Sequence, residues 1–351
     1  MDAIARAAVQ PTVDPTVLLD VQHLQKYYPI EKGLLKRVVG HVKAVDDVSL
    51  TIRRNETVGL VGESGSGKTT LGQCLLRAIE PTAGKIFFYP QDSAPLDVLA
   101  LDKKGLKAMR RKAQLVFQNP YSSLDPRKTV LQIVGEPLIL HGLAKGDVLV
   151  ERVKTLMALV GLEVKHMNRY PHAFSGGQRQ RIGIARALAL NPEFIVADEP
   201  VSALDVSIQA QILNLLQDLR RELNLSFLFI AHGLNVIKHV SKRVAVMYVG
   251  KLVEMADVVD LFANPRHPYT EALLSAIPNP DPDVRMQRII LPGEVANPAN
   301  PPCGCSFHPR CRYAQPICQQ ETPPWEEHAP GHFVACHRAK ELDLVGVPLL
   351  D

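Results

Sequence analysis

The residues from Gly62 to Thr69 have types and spacing suited to holding a chain of phosphates. They read GESGSGKT and fit the P-loop pattern G-x-x-x-x-G-K-[ST] without a mismatch. Glycines allow a sharp turn that points successive backbone N–H groups at one spot. Lys68 would reach the β- and γ-phosphates, and the Thr69 hydroxyl would ligate Mg²⁺. The predicted ATP-binding residues of this loop are Gly62, Ser64, Gly65, Ser66, Gly67, Lys68, Thr69 and Thr70.

Two carboxylates follow a second apolar stretch. The run Phe194–Ala197 predicts a buried strand that leads directly into Asp198 and Glu199. Adjacent carboxylates at the end of an apolar strand are costly unless they serve a cation. We expect Asp198 to hold Mg²⁺ through a water molecule and Glu199 to polarise an attacking water. The pair therefore predicts hydrolysis of the bound triphosphate.

Polar side chains also end two other predicted strands. Gln118 follows the short strand Gln114–Phe117, and a side-chain amide there can ligate Mg²⁺ or orient a water. His232 follows the strand Ser226–Ala231 and is a candidate sensor of the γ-phosphate. A solvated glutamine or a structural histidine is the commoner role for either residue alone.

Three further segments could contact a nucleotide. Ser175-Gly176-Gly177-Gln178 precedes a helix predicted over Arg179–Leu190, and a helix N-terminus attracts anions. Asp205 precedes the helix predicted over Val206–Glu222, where a plain N-cap is the alternative. Tyr28 could stack on an adenine ring, and a core or edge-strand tyrosine is the alternative.

Strands and helices must position these residues. A strand over Glu56–Val61 and a helix over Lys68–Ile79 would place the helix N-terminus against the phosphates. Strand-like patterns at Val17–Leu24 and Lys43–Ile52 lie upstream. Residues 121–174 are rich in helical apolar spacing, chiefly at 130–140 and 148–159. This alternation predicts an α/β fold with a helical insertion.

Length and composition bound the class of protein. At 351 residues the chain exceeds one ordinary domain, so we expect a large domain with an appendage. The apolar fraction of 46% and the charged fraction of 22% are typical of globular proteins. No run of 18 apolar residues and no signal pattern occurs, so we expect a cytosolic chain. The net charge of +4 suits a partner surface or a membrane face and does not argue for nucleic acid.

The C-terminal part differs in composition from about residue 259 onward. Prolines become frequent there, which predicts an extended, turn-rich appendage rather than a second core of helices and sheet. Five of the six cysteines lie between Cys303 and Cys336. In a cytosolic chain such clustering favours metal over disulfides. Four thiolates suit Zn²⁺ or a [4Fe–4S] cluster, and free thiols are the alternative. The candidate ligands are Cys305, Cys311, Cys318 and Cys336.

The chain resembles the ATP-binding subunit of an ABC transporter in an ordered set of motifs. These are the P-loop, Gln118, Ser175–Gln178, Asp198-Glu199, the segment 202–205 and His232. The resemblance covers residues 17–258 and follows a loose tail at 1–16. It implies a RecA-like α/β core, N-terminal antiparallel strands, and a helical subdomain at about 119–175. Asn264–Thr270 and Cys305–Cys311 resemble the C-terminal region of dipeptide and oligopeptide importer ATPases. We therefore expect residues 259–351 to be an importer-type extension, closest to the dipeptide subunit that works beside a sister ATPase.

The resemblance also implies roles for individual residues. Tyr28 matches the adenine-stacking position, and Gln118 matches the loop that couples Mg²⁺ to a membrane subunit. Glu199 matches the general base, and His232 matches the switch histidine. Relatives carry iron–sulfur clusters in the extension, which favours [4Fe–4S] over Zn²⁺ and leaves Cys303 as a spare thiol.

The same resemblance implies partners and a location. Two ATPase subunits would sandwich two ATP molecules, each P-loop facing Ser175–Gln178 or its counterpart across the dimer. Two membrane permease subunits and an extracytoplasmic peptide-binding protein would complete a bacterial importer. The chain would then lie peripherally on the cytoplasmic face of the inner membrane.

Other functions remain open at this stage. Nickel, glutathione and other small-solute importers share this tail, so the solute is less defined than the ATPase. A soluble ABC ATPase acting on nucleic acid would need a long coiled-coil insertion or two cores, and neither pattern occurs. A redox sensor built on the cysteines would not need the complete set of ATPase residues.

Overall fold

The computed structural model describes residues 14–33, 36–119, 121, 123–278 and 288–347. The strands are β1 (Val17–Lys32), β2 (Arg37–Arg53), β3 (Thr57–Val61), β4 (Ala83–Phe88), β5 (Leu96–Asp97), β6 (Ala113–Val116), β7 (Phe194–Asp198), β8 (Ser226–Ile230), β9 (Arg243–Tyr248), β10 (Lys251–Asp257), β11 (Glu326–Ala329) and β12 (His332–Val334). The helices are α1 (Lys68–Leu75), α2 (Lys103–Lys112), α3 (Val130–Leu140), α4 (Gly146–Leu159), α5 (Gly176–Leu188), α6 (Val206–Leu223), α7 (Leu234–Val240), α8 (Val258–Ala263), α9 (Pro268–Leu274) and α10 (Pro316–Gln320).

The main sheet has the strand order β11-β12-β10-β9-β3-β8-β7-β6 within the described residues. Its strands β6, β7, β8, β3 and β9 are parallel neighbours. Parallel strands covered on both faces read as continuous apolar runs, and every residue of β3, β7 and β8 is buried. The carboxyl ends of these strands meet at one edge of the sheet, where ligands of open α/β sheets bind.

A second sheet is antiparallel, with the order β2-β1-β4-β5 in the described part of the chain. Its strands β1 and β2 extend well beyond the predicted Val17–Leu24 and Lys43–Ile52. Residues 26–32 and 37–44 of these strands are half-buried or exposed, and backbone pairing from Lys26↔Val45 to Lys32↔Arg37 supports them. Apolar alternation could not predict strands held by backbone pairing alone.

The helices between β6 and β7 form the predicted helical insertion. Helix α3 has the predicted bounds because Thr129 and Gln132 form a capping box at its start. Helix α4 begins two residues before the predicted Val148 and packs against α3, where Gly135 leaves room for Leu149. Helix α1 ends at Leu75, four residues earlier than predicted, and Arg77 turns the chain with a φ of 48°.

The C-terminal part is more regular than its proline content predicted. Short helices α8, α9 and α10 occur there, and β12 pairs antiparallel with β10, so that the main sheet continues into this region. Glu254 of β10 is fully buried, and its carboxylate accepts hydrogen bonds from the N–H groups of Arg266 and His267. The carboxylate also lies 2.7 Å from His332 Nε2. A three-residue strand with a buried polar anchor has no apolar periodicity, which is why the sequence did not reveal it. Of the predicted tail at 1–16, residues 1–13 lie outside the described residues.

Candidate functional site

The P-loop connects β3 to α1 and passes very close to neighbouring backbone. Gly67 has a φ of 105°, and a side-chain carbon there would lie 2.0 Å from the carbonyl oxygen of Ala44. At Gly62 such a carbon would lie 2.1 Å from the carbonyl oxygen of Met247. Only glycine fits at these two positions, so the loop is pressed against β2 and β9. The helix α1 begins at Lys68, so its free N–H groups face the loop.

Lys68 lies inside the loop rather than in solvent. Its Nζ donates to the carbonyl oxygens of Gly62 at 2.7 Å and Glu63 at 3.0 Å. Burial lowers the pKa of Lys68, while the nearby carboxylates Glu199 and Asp198 oppose that shift. The ammonium group is therefore held ready at the position where the loop can bind an anion.

Thr69 and Asp198 meet between the P-loop and the end of β7. The Thr69 hydroxyl donates to Asp198 Oδ1 at 3.0 Å. Burial raises the pKa of Asp198, whereas the bond from Thr69 lowers it. The Thr69 hydroxyl oxygen and the buried Asp198 carboxylate are oxygen ligands of the kind that Mg²⁺ prefers.

Glu199 joins the polar ends of three strands. Its Oε2 accepts from Gln118 Nε2 at 2.5 Å and lies 2.8 Å from His232 Nε2. The carboxylate is 5% exposed, and its backbone has a φ of 45°. A left-handed conformation costs a non-glycine residue about 1 kcal/mol, and such strain concentrates at functional sites. The structure thus brings together the three predicted catalytic residues around one carboxylate.

Ser175–Gln178 begin α5 in the helical insertion. The Ser175 Oγ accepts the N–H of Gln178, and Gln178 Oε1 accepts the N–H of Ser175, which makes a capping box. Gly177 packs against Ile208, where a side-chain carbon would lie 2.5 Å from Cγ2. The described residues contain no hydrogen bond between this segment and the P-loop of the same chain. Ser175 and Gln178 are exposed, so their polar groups are accessible to another molecule.

Two other predicted nucleotide-binding residues, Asp205 and Tyr28, make no hydrogen bond to the cluster around Glu199 in the described structure. Asp205 occupies the N-cap position of α6, but its side chain makes no capping hydrogen bond and is exposed. Tyr28 lies half-buried on β1 with the ammonium of Lys26 4.8 Å from its ring centre. Its neighbour Tyr27 instead donates its hydroxyl to Asp46.

Sequence reasoning missed the residues that hold the second position of the P-loop. The N–H of Glu63 donates to the Tyr269 hydroxyl at 2.8 Å, and its carboxylate pairs with Arg310 at 2.7 Å. Both partners lie in the two C-terminal segments that carried the resemblance to importer ATPases. That was the only signal, because contacts across more than 200 residues leave no local pattern.

The four candidate cysteine ligands line one cavity of about 20 Å³, together with His267, Phe307 and Arg338. Burial raises the pKa of Cys305 to about 11 and that of Cys336 to about 12. Cys303 is exposed and does not line the cavity. In the described part of the chain, no group of three or more His, Cys, Asp or Glu residues is arranged to hold a single metal ion.

The fold and this edge of the sheet define the class of protein. A P-loop between a buried parallel strand and a helix, with a carboxylate pair ending another strand of the same sheet, is the arrangement of a P-loop nucleoside triphosphatase. None of the described helices has the length and apolar character needed to cross a membrane.

Comparison with known proteins narrows this class. The sequence pattern of the ABC transporter family matches residues 45–202, and that of the oligopeptide/dipeptide transporter C-terminal region matches residues 253–318. The oligopeptide transport ATP-binding protein AppF of Bacillus subtilis (strain 168) is 52% identical over 91% of this chain and 97% of its own length. The dipeptide transport ATP-binding protein DppF of Haemophilus influenzae is 48% identical over 92% of this chain and 96% of its own length.

Solved structures agree with these matches. The ATP-binding cassette MJ0796, in a dimeric post-hydrolysis state bound to ADP and Pi, has a TM-score of 0.59 and 30% identity, covering 69% of this chain and 99% of that one. The chain therefore belongs to the ABC transporter ATPases that carry the oligopeptide/dipeptide transporter C-terminal region. The predicted family, the ATPase class and the P-loop fold with N-terminal antiparallel strands are confirmed.

Proposed function

We propose that this chain is the ATP-hydrolysing subunit of a bacterial importer of dipeptides or oligopeptides. The observation that carries the substrate class is the match of residues 253–318 to the oligopeptide/dipeptide transporter C-terminal region. Relatives about 50% identical over nearly their whole length are named for oligopeptide and dipeptide transport. The cluster around Glu199 supplies groups suited to the ATPase step.

We assign the phosphate-binding role to the P-loop residues Gly62, Ser64, Gly65, Ser66, Gly67, Lys68, Thr69 and Thr70. Lys68 would turn from its loop carbonyls to the β- and γ-phosphates, since its ammonium already lies within the loop. Thr69, Asp198 and Gln118 would hold Mg²⁺, directly or through water. Bound Mg²⁺ would neutralise charge on the phosphates.

Glu199 is assigned as the general base that accepts a proton from the attacking water. Gln118 and His232 both contact Oε2 of its carboxylate, which fixes the orientation of the proposed base. His232 is half-exposed, so it can also reach a γ-phosphate. Tyr28 would stack on adenine after Lys26 moves aside, and Asp205 would contact the nucleotide from the segment before α6.

A complete ATP site needs a second ATPase subunit in this proposal. Ser175 and Gln178 are exposed at the start of α5, and the N-terminus of this helix can attract an anion. A solved relative is dimeric with ADP and Pi bound. We propose that the partner is a sister ATPase rather than a second copy, and that two permease subunits lie above the pair. A short helix of one permease subunit would bind in the groove formed after Gln118. A peptide-binding protein outside the membrane would deliver the substrate.

We further assign residues 17–258 to the ATP-binding domain, with the helical subdomain at about 119–175, and residues 259–351 to the importer extension. The chain would lie on the cytoplasmic face of the inner membrane, held by the permeases.

The extension would hold a [4Fe–4S] cluster. Four thiols line one cavity, and cysteine thiolates in sets of four are the usual ligands of such a cluster. Zn²⁺ is the alternative occupant of four thiolates. Cys305, Cys311, Cys318 and Cys336 are the assigned ligands. When bound, the cluster would supply a rigid cross-link or an electron carrier.

Reconstitution tests this function. The ATPase pair, both permeases and the binding protein should be assembled in liposomes, and ATP hydrolysis should be measured with dipeptides, oligopeptides, nickel ions or glutathione. We expect stimulation by peptides alone, and a complex carrying Glu199→Gln should show none. Stimulation by nickel or glutathione, with no response to peptides, would show that the importer carries that solute and not peptides.

A further inference from the structure

Every polar group of Glu63, the second residue of the P-loop, is engaged. Its N–H donates to the Tyr269 hydroxyl at 2.8 Å, and its carbonyl oxygen accepts from Lys68 Nζ at 3.0 Å. Its two carboxylate oxygens accept from Arg310 Nη1 at 2.7 Å and Nη2 at 3.3 Å. Two residues of the C-terminal region thus contact the same loop residue that holds Lys68.

Both C-terminal partners are rigidly held. Tyr269 is fully buried, and its ring packs edge-on against Tyr248 at 4.8 Å and beside Phe307 at 5.4 Å between ring centres. Arg310 is 8% exposed, and its Nε donates to the carbonyl oxygen of Pro292 at 3.3 Å. A bidentate arginine–carboxylate pair with a buried guanidinium differs from an exposed ion pair, which contributes little.

The cysteine segment, Cys305–Cys311, sets the position of the Arg310 guanidinium. Arg310 ends a 3₁₀ turn, His308–Arg310, between Cys305 and Cys311. The N–H of His308 donates to the carbonyl oxygen of Cys305 at 3.0 Å. The N–H of Cys311 donates to the carbonyl oxygen of His308 at 3.2 Å. The conformation of the cysteine segment therefore decides where Arg310 can reach.

We propose that Arg310 and Tyr269 are positioning residues for ATP binding, acting through Glu63. Arg310 neutralises a carboxylate that would otherwise stand beside the triphosphate, and Tyr269 fixes the backbone of the loop that orients Lys68. This inference rests on the proposed role of the P-loop as the phosphate site. It gives the C-terminal region a direct part in the ATPase site of its own chain.

The test measures ATP affinity with Mg²⁺ by titration calorimetry for a set of variants. Arg310→Ala should weaken ATP binding about tenfold, because Glu63 keeps its charge without its partner. The double variant Arg310→Ala/Glu63→Gln should return to within about twofold of the wild type, since the unpaired charge is gone. Tyr269→Phe should weaken binding several-fold without any change of charge. Arg312→Ala is the matched control, because Arg312 pairs with Glu271 and not with the P-loop.

Kinetics of the assembled complex separate positioning from general damage. Arg310→Ala should raise the KM for ATP and leave kcat at saturating ATP within about twofold, and Arg310→Lys should recover part of the affinity. Thermal unfolding checks that each variant is folded, and if Arg310→Ala does not fold, Arg310→Lys and Tyr269→Phe still test the proposal.

Wild-type affinity in Arg310→Ala and Tyr269→Phe, or a double variant as weak as Arg310→Ala, overturns the inference. Lys68→Ala distinguishes this failure from failure of the P-loop assignment. Lost ATP binding in Lys68→Ala beside normal binding in Arg310→Ala refutes only the role of Arg310. Normal binding in Lys68→Ala refutes the phosphate site itself.

Discussion

Replacing Glu199 by Gln changes one charge at the centre of the cluster and almost nothing in shape. The Oε2 of Glu199 accepts from Gln118 at 2.5 Å and lies 2.8 Å from His232 Nε2. The oxygen of a glutamine amide can take the place of Oε2 and keep both contacts, but the amide cannot accept a proton from water at neutral pH. The substitution therefore removes the proposed base while the strand ends remain in place.

The expected loss in hydrolysis follows from the role of the carboxylate. General-base catalysis contributes about 10²–10⁴ in rate, which corresponds to about 2.7–5.4 kcal/mol of activation free energy. The charge of Glu199 also contributes to the raised pKa of Asp198, so its removal favours the ionised form of Asp198. Affinity for MgATP should therefore be retained or increased, since one negative charge beside the triphosphate is gone.

Single-turnover hydrolysis in the assembled complex, with ATP affinity measured on the same sample, is the assay. Glu193→Gln is the matched control, because Glu193 precedes the first residue of β7, at the end away from Glu199, and pairs with Lys112 at 2.7 Å. A Glu199→Gln variant that turns over ATP within a few-fold of the wild type would refute the assignment. So would a variant whose hydrolysis is lost only because it no longer binds ATP.

Further variants test other parts of the site. Lys68→Ala should abolish measurable MgATP binding in calorimetry, because it removes the only cation inside the P-loop in the described residues; unchanged affinity would mean that this loop does not hold phosphate. Anaerobically purified protein should contain about four irons per chain. The variant Cys311→Ser should lose this iron and the brown colour of the cluster, whereas Cys303→Ser should keep both. Zinc instead of iron in elemental analysis would contradict the assignment. Ser175→Arg should reduce nucleotide occupancy at the sister subunit's P-loop, and loss confined to this chain's own P-loop would exclude the trans arrangement.

A last variant of the same series concerns stability. Burial lowers the pKa of His267 to about 3, whereas an unfolded histidine has a pKa of about 6.5, so the unfolded chain binds more protons below pH 6.5. The free energy of unfolding should fall with decreasing pH there, by up to about 1.4 kcal/mol per unit from this residue. His267→Asn keeps an N-cap acceptor for Tyr269 and should show a smaller loss in urea unfolding between pH 7.5 and 5.5. An equal loss would show that His267 does not carry the effect.

Short-range features were predictable from the sequence because their causes are local. The P-loop pattern follows from glycines that no other residue could replace beside Ala44 and Met247. Helix α3 was predicted at its observed bounds because Thr129 and Gln132 cap it within one turn. The family resemblance rests on such local patterns in the right order, and the comparisons confirm it.

Tertiary structure decided which of these local features meet. Gln118, Glu199 and His232 come together because β6, β7 and β8 are parallel neighbours whose carboxyl ends share one edge. Their spacing in sequence does not encode that order. Burial around Glu199 and Lys68 is likewise a property of the packed sheet and its loops.

The C-terminal region is the clearest case. Its proline content gave no sign of β12, because that strand depends on pairing with β10 and β11 and on burying His332 against Glu254. The pair between Glu63 and Arg310 joins residues 247 positions apart. Backbone propensity acts over a few residues, whereas such contacts depend on how whole elements pack. The sequence alone thus determined the kind of chemistry, and only the folded chain decided that its C-terminal region reaches the P-loop.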